Sequence, residues 1–242
     1  MRRWWLTGVA WLAFLQLTTV AQADRLVRKN VFVSTSPQLT VRVSPPFRYI
    51  GEAEFTTTTE LGDQTQGKAY VFIDSNQEQV QRIFCIELIP ELLRFPGNLL
   101  GNIAADLDFG ACTLADRQYQ CAASLISFTG NEPVAKFITP QGYSLPPCLL
   151  AKSFVTTDAT TGSYLIGIFY LEAVAGPVFQ CGPSRSTAPP SSAQQQLLGQ
   201  FEEHCMDAFD AYPRRVREVP DFPGLHGIDD ATLPSGPYKG RH

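Results

Sequence analysis

Residues 164–171 read Tyr-Leu-Ile-Gly-Ile-Phe-Tyr-Leu, a run with almost no polar side. Successive side chains of a strand point to opposite faces, so such a run suits a central strand covered on both. Whatever sheet contains it must therefore have something packed above it and something packed below.

The remaining strand signals have a different period. Leu39, Val41 and Val43 alternate with Thr40, Arg42 and Ser44, which marks a strand with one buried face. Residues 30–34 are extended as well. Pro45 and Pro46 end this region, since proline cannot donate to a ladder. A further strand runs from Phe47 toward Thr57 into the run Thr56 to Thr59, where branching at Cβ restricts χ1 and favours extended chain. Residues 62–64 read as a turn. Strands follow at 68–73 and 80–89, separated by the polar segment 74–77, and such close succession implies an antiparallel meander. Residues 90–108 mix leucines with Pro96, Gly97 and Gly101, so they read as helical only in pieces. Residues 119–129 suit another strand, 136–141 a short helical turn or an extended connector, and 149–155 a strand leading into the apolar run.

One cover for the sheet is visible. Ser192 with Gln195 fits a capping box at a helix start. From there Leu197, Leu198, Phe201, Cys205, Ala208, Phe209 and Tyr212 recur at helical spacing up to Pro213. The expected fold is α+β: a mainly antiparallel sheet of six or seven strands, with the helix of residues 192–212 packed on one face. It occupies residues 24–212 as one domain. Residues 213–242 hold five prolines and four glycines with little apolar periodicity, and read as an extended or disordered tail.

The N-terminus has the grammar of a secretory signal. Arg2 and Arg3 precede an apolar stretch from Trp4 to Leu15, and Ala21-Gln22-Ala23 is a small-x-small cleavage site. Gln16, Thr18 and Thr19 break the apolar run short of the roughly 20 residues that span a bilayer, so no stable membrane span is expected after cleavage. The destination is the periplasm or the extracellular space. Losing residues 1–23 removes two of 19 basic residues against 23 acids, which leaves a net charge of about −6. Nucleic acid is not an expected partner, because it needs clustered Lys and Arg. The one basic cluster, Arg214, Arg215 and Arg217, lies in the tail.

Six cysteines remain after processing: Cys85, Cys112, Cys121, Cys148, Cys181 and Cys205. An even count in an exported chain reads as up to three disulfides, with Cys112–Cys121 the first pair by proximity. No C-x-x-C occurs, and no pair of cysteines has zinc-ligand spacing.

No catalytic, cofactor or metal motif is expected from the residues. His204 follows Glu202 and Glu203, but consecutive helical residues point about 100° apart and cannot converge on one ion. His226 and His242 lie in the tail. No G-x-S-x-G is present, and Gly97-Asn98-Leu99-Leu100-Gly101 lacks the following Lys and Ser/Thr of a phosphate loop. Asp106 and Asp108 begin like a calcium loop, but Gly110 comes one place early and Arg117 stands at the bidentate glutamate position. Glu52 and Glu54 share a strand face, as residues two apart must. The leading expectation is a non-enzymatic binding module for an unknown protein or small ligand. A hydrolase with loop-borne catalytic residues and a secreted inhibitor or effector are the alternatives.

Overall fold

The computed structural model describes residues 25–58, 64–90, 102–114, 116–158, 164–174, 178–179, 181 and 190–212. The signal segment, the tail and most of the turn at 62–64 lie outside the described residues. The architecture is mostly antiparallel β, in two sheets, with two short helices.

Three short strands open the described chain: β1 (Arg25–Arg28), β2 (Val31–Thr35) and β3 (Gln38–Val43). The chain then passes Pro45 and Pro46 and enters long strands: β4 (Arg48–Thr58), β5 (Gln64–Asn76), β6 (Gln79–Pro90), β7 (Asn102–Leu114) and β8 (Arg117–Ser127). Helix α1 (Pro133–Ile138) and a 3-10 turn (Thr139–Gln141) lead to β9 (Cys148–Thr157) and β10 (Tyr164–Ala173). Helix α2 (Ser192–Asp207) and β11 (Phe209–Tyr212) complete it.

The smaller sheet has the order β1-β2-β3-β11 and the larger β4-β5-β6-β10-β9-β8-β7. The expected single sheet of six or seven strands is therefore corrected to sheets of four and seven. β10 is the middle strand of the seven, where a run apolar on both sides belongs. Its Ile166, Ile168 and Tyr170 point into the core between the sheets, and Leu171 points to the opposite face.

The inner core joins Phe32, Leu39, Val41 and Val43 of the small sheet to Phe72, Phe84, Ile86 and Phe154 of the large one. Its rings pack at tilted or edge angles, as between Phe84 and Phe209 (centroids 4.8 Å) and Phe32 and Tyr70 (4.6 Å). Each such side chain contributes on the order of 1.5–3 kcal/mol by leaving water. The outer face of the large sheet carries Ile73, Ile83, Leu149 and Leu171, against which α1 sets Val134 and Ile138.

Two expectations about the helix change. The capping box is Ser191 with Gln194, one residue earlier: Gln194 N donates to Ser191 Oγ at 3.4 Å and Ser191 N donates to Gln194 Oε1 at 2.8 Å. The helix also stops at Asp207, and only Phe201 and Cys205 along it are buried. Phe209 and Ala211 follow a period of two rather than 3.6, because the segment pairs with β3, where Asp210 forms an ion pair with Arg42. A third correction concerns residues 102–108. They continue the strand β7, paired with β8 through a tight connection in which Asp116 has φ of 64°.

Two disulfides are formed. Cys112–Cys121 ties β7 to β8, with Cα atoms 5.9 Å apart, and Cys148–Cys181 ties the start of β9 to the segment beyond β10, at 5.5 Å. Cys85 and Cys205 are unpaired and buried. A third bridge is excluded by position, since Cys85 lies on the outer face of β6 while Cys205 lies on α2 in the inner core.

Candidate functional site

Strand β6 alternates as a two-faced strand should. Phe84, Ile86 and Leu88 enter the inner core, and Ile83, Cys85 and Ile89 lie on the outer face. Glu87 falls in the outer set, an acid in an otherwise apolar row. Its partners across the strands are Ala69 on β5 and Gly167 on β10, neither of which has a side chain able to bond it. The residue is 5% exposed, and its Oε1 is buried with no hydrogen-bond partner. Burial pushes its carboxyl up to about 8. At neutral pH it is held as the uncharged acid, and an unsatisfied buried oxygen costs about 1–3 kcal/mol.

Aromatic rings stand around this row. The ring of Phe169 lies on Gly167, directly beside Glu87, where any Cβ would overlap it. The ring of Phe55 lies on Gly67 in the same way, on the diagonal from Glu87, and the ring of Phe137 from α1 comes within 3.1 Å of a Cβ placed at Gly51. Thr57, farther along β4 on this face, also has a buried hydroxyl with no partner. Two orphaned polar atoms thus sit in one apolar surface, against the general rule that buried polar groups are paired.

The surface continues toward the edge strand β7. Register places Cys85, Phe169, Ser153, Ala122 and Phe109 in one line across β6, β10, β9, β8 and β7. Phe169, Ser153 and Ala122 are half-buried, and Phe109 is 74% exposed. With strands about 4.8 Å apart, Phe169 and Phe109 lie roughly 14 Å from each other. The small residues between them leave a strip with an aromatic ring at each end.

The thiol of Cys85 adds no reactivity to the site. Burial, and then the neighbouring Glu87 charge, push it well above the ordinary thiol range, which disfavours the nucleophilic thiolate. Cys205 is pushed up by burial first and by Glu202 next.

The other residues singled out by sequence have structural partners. Glu52 and Glu54 lie on one face as expected, with Lys68 Nζ between them at 3.5 and 3.4 Å. His204 is exposed on α2 and its Nδ1 lies 3.0 Å from Glu172 Oε1 on β10, while the Tyr170 hydroxyl donates to Glu172 Oε2. Lys152 of β9 donates to Glu202 at 2.7 Å. These two polar links fasten α2 to the large sheet. Residues 106–110 are strand in their backbone rather than a calcium loop. Among the described residues, no three His, Cys, Asp or Glu side chains gather as a metal site, and no helix is long and apolar enough to cross a membrane. His226, His242, Arg214, Arg215 and Arg217 lie outside the described residues.

Sequence reasoning passed over Glu87. The signal was present, as a lone acid in Ile-Phe-Cys-Ile-Glu-Leu-Ile, but one sequence does not reveal that both cross-strand neighbours are too small to bond it. No protein-family model matches the chain, and neither the curated proteins nor the solved structures include a match.

Proposed function

We propose that this is an exported, non-enzymatic binding protein of the periplasm or extracellular space, which takes a small ligand on the outer face of its seven-stranded sheet. The ligand's apolar body lies along Phe169, Ser153, Ala122 and Phe109, and a polar atom of it meets Glu87. The buried, unpartnered carboxyl of Glu87 carries this reading. Keeping such a group in an apolar row lowers stability unless something bonds it. Export is supported by Arg2, Arg3 and the Ala21-Gln22-Ala23 site, and the two disulfides fit an oxidising compartment.

The test is an amide chemical-shift titration of residues 24–242 with 1-octanol, whose hydroxyl can bond Glu87 while its chain lies along the Phe169 end of the strip. Shifts should concentrate at 87, 167, 169 and 122. Shifts confined to other regions, or none at saturation, would refute the site.

A hydrolase reading rests on a narrower observation, the Glu172–His204 pair, which resembles the orienting half of an acid–base set. Loss of a measurable esterase activity in His204→Ala, with Glu87→Gln unaffected, would favour it.

A further inference from the structure

The polar head of the ligand is constrained by what the protein withholds from Glu87. Every described cation of the large sheet near this region is engaged elsewhere. Lys68 lies between Glu52 and Glu54, Lys152 bonds Glu202, Arg82 bonds Asp74 at 2.7 Å, and Arg48 reaches Ser75 and stacks on Tyr143. On the outer face itself, β5 presents Gly67, Ala69 and Val71, and β10 presents Leu165, Gly167 and Phe169. The titratable groups there are Cys85 on the same strand, Tyr143 with Arg48 stacked on its ring and, at α1, an exposed Lys136 and an N-cap Glu132 turned to Thr129 and Gly130. The acid thus has no counter-charge of its own, in a chain with a net charge of −4.

The neighbours that it does have suit a cation. The Phe169 ring covers Gly167, the residue paired with Glu87, and an aromatic face attracts an ammonium group within about 6 Å of its centroid. An anionic head would meet like charge as soon as Glu87 ionises. A hydroxyl could bond the acid but would gain nothing from the ring.

Building on the binding site at Glu87, we propose that the ligand is an organic cation, an ammonium group on an apolar chain, with the nitrogen set against the Glu87 carboxylate beside Phe169 and the chain running toward Phe109. Binding then requires the acid to ionise, so affinity is coupled to pH. With a free acid near 8, apparent affinity for the cation should rise about tenfold per pH unit up to that value and level off above it.

The experiment compares n-octylammonium, 1-octanol and n-octanoate, each below its micelle concentration, by amide chemical-shift titration of residues 24–242 at pH 6, 7, 8 and 9. Glu87→Gln is measured in parallel, with its native spectrum serving as the control for folding. The expected result is that octylammonium binds at least tenfold more tightly than octanol at pH 8, that its affinity climbs about fiftyfold from pH 6 to 8, and that Glu87→Gln removes both the preference and the pH dependence. Equal, pH-independent affinities for octylammonium and octanol at the same amides would overturn the cation and leave the binding site standing. Absence of shifts at 87, 167 and 169 with all three probes would overturn both.

Discussion

Gly167 faces Glu87 across the β6–β10 pair, and a Cβ at 167 would stand 3.5 Å from the Cβ of Glu87 while overlapping the ring of Phe169. The glycine is needed for what lies on it, not for its backbone angles. Gly167→Ala should displace Phe169 and cost about 1–3 kcal/mol, as overpacking does. Phe169→Ala in the same chain should recover part of that loss, so the double variant is less destabilised than the sum of the two. Urea denaturation of the four proteins measures it.

Glu87 should give the folded chain an unusual pH profile. It stays protonated to about pH 8 when folded, against an ordinary value of 4.5. Between those limits the native state binds more protons than the unfolded state, so this residue makes stability fall as pH rises, by at most about 1.4 kcal/mol per unit, and the fall ends above pH 8. Glu87→Gln should flatten that slope. Unfolding midpoints from pH 5 to 9 for both proteins provide the comparison.

Glu132 should act with the opposite sign. Burial alone would raise its carboxyl, but its Oε1 accepts from the Thr129 N–H (2.9 Å) and hydroxyl (2.6 Å), its Oε2 accepts from Gly130 N–H (2.9 Å), and these bonds hold it below the ordinary value. Its contribution is complete above 4.5 and is lost as pH falls through the lowered value. Glu132→Gln turns an amide group toward a donor that needs an acceptor, and should cost about 1–3 kcal/mol at pH 7. The loss should shrink as pH falls through that lowered value, because wild-type Glu132 then takes up a proton itself.

The cysteines should divide into two classes. Removing the Cys112–Cys121 pair by serine substitution should cost about 2–3 kcal/mol, set by the short loop it closes. Cys85 and Cys205 should resist alkylation in the native protein and react together on unfolding. Intact mass with and without denaturant, in the absence of reductant, counts them.

Much of the scaffold was legible because hydrophobic period is a local property. The run at 164–171 announced a strand buried on both faces, and β10 is the centre of the large sheet. The strands at 39–43, 68–73 and 80–89 and the start of α2 were equally plain. The division into two sheets was not, since pairing between β3 and β11 joins residues such as Val43 and Phe209 that no local pattern relates. The end of α2 was misread because Phe209 fits both periods. β7 was obscured by the glycines and Pro96 at residues 90–101 just before it, and by the absence of clean alternation in 102–108, where its register shifts twice. The candidate site was the least legible part. An acid in an apolar strand is visible in the sequence, but its isolation depends on Ala69 and Gly167 arriving beside it from 18 residues upstream and 80 downstream.

The protonation of Glu87 tests the account most directly. Carboxyl-carbon NMR on the protein of residues 24–242, labelled at glutamate and assigned by comparison with Glu87→Gln, follows that one group from pH 3 to 10. The account predicts a midpoint near 8. A midpoint near 4.5 for Glu87 would contradict it, since a carboxyl ionised that readily is either hydrated or already paired, and no ligand would be needed to satisfy it.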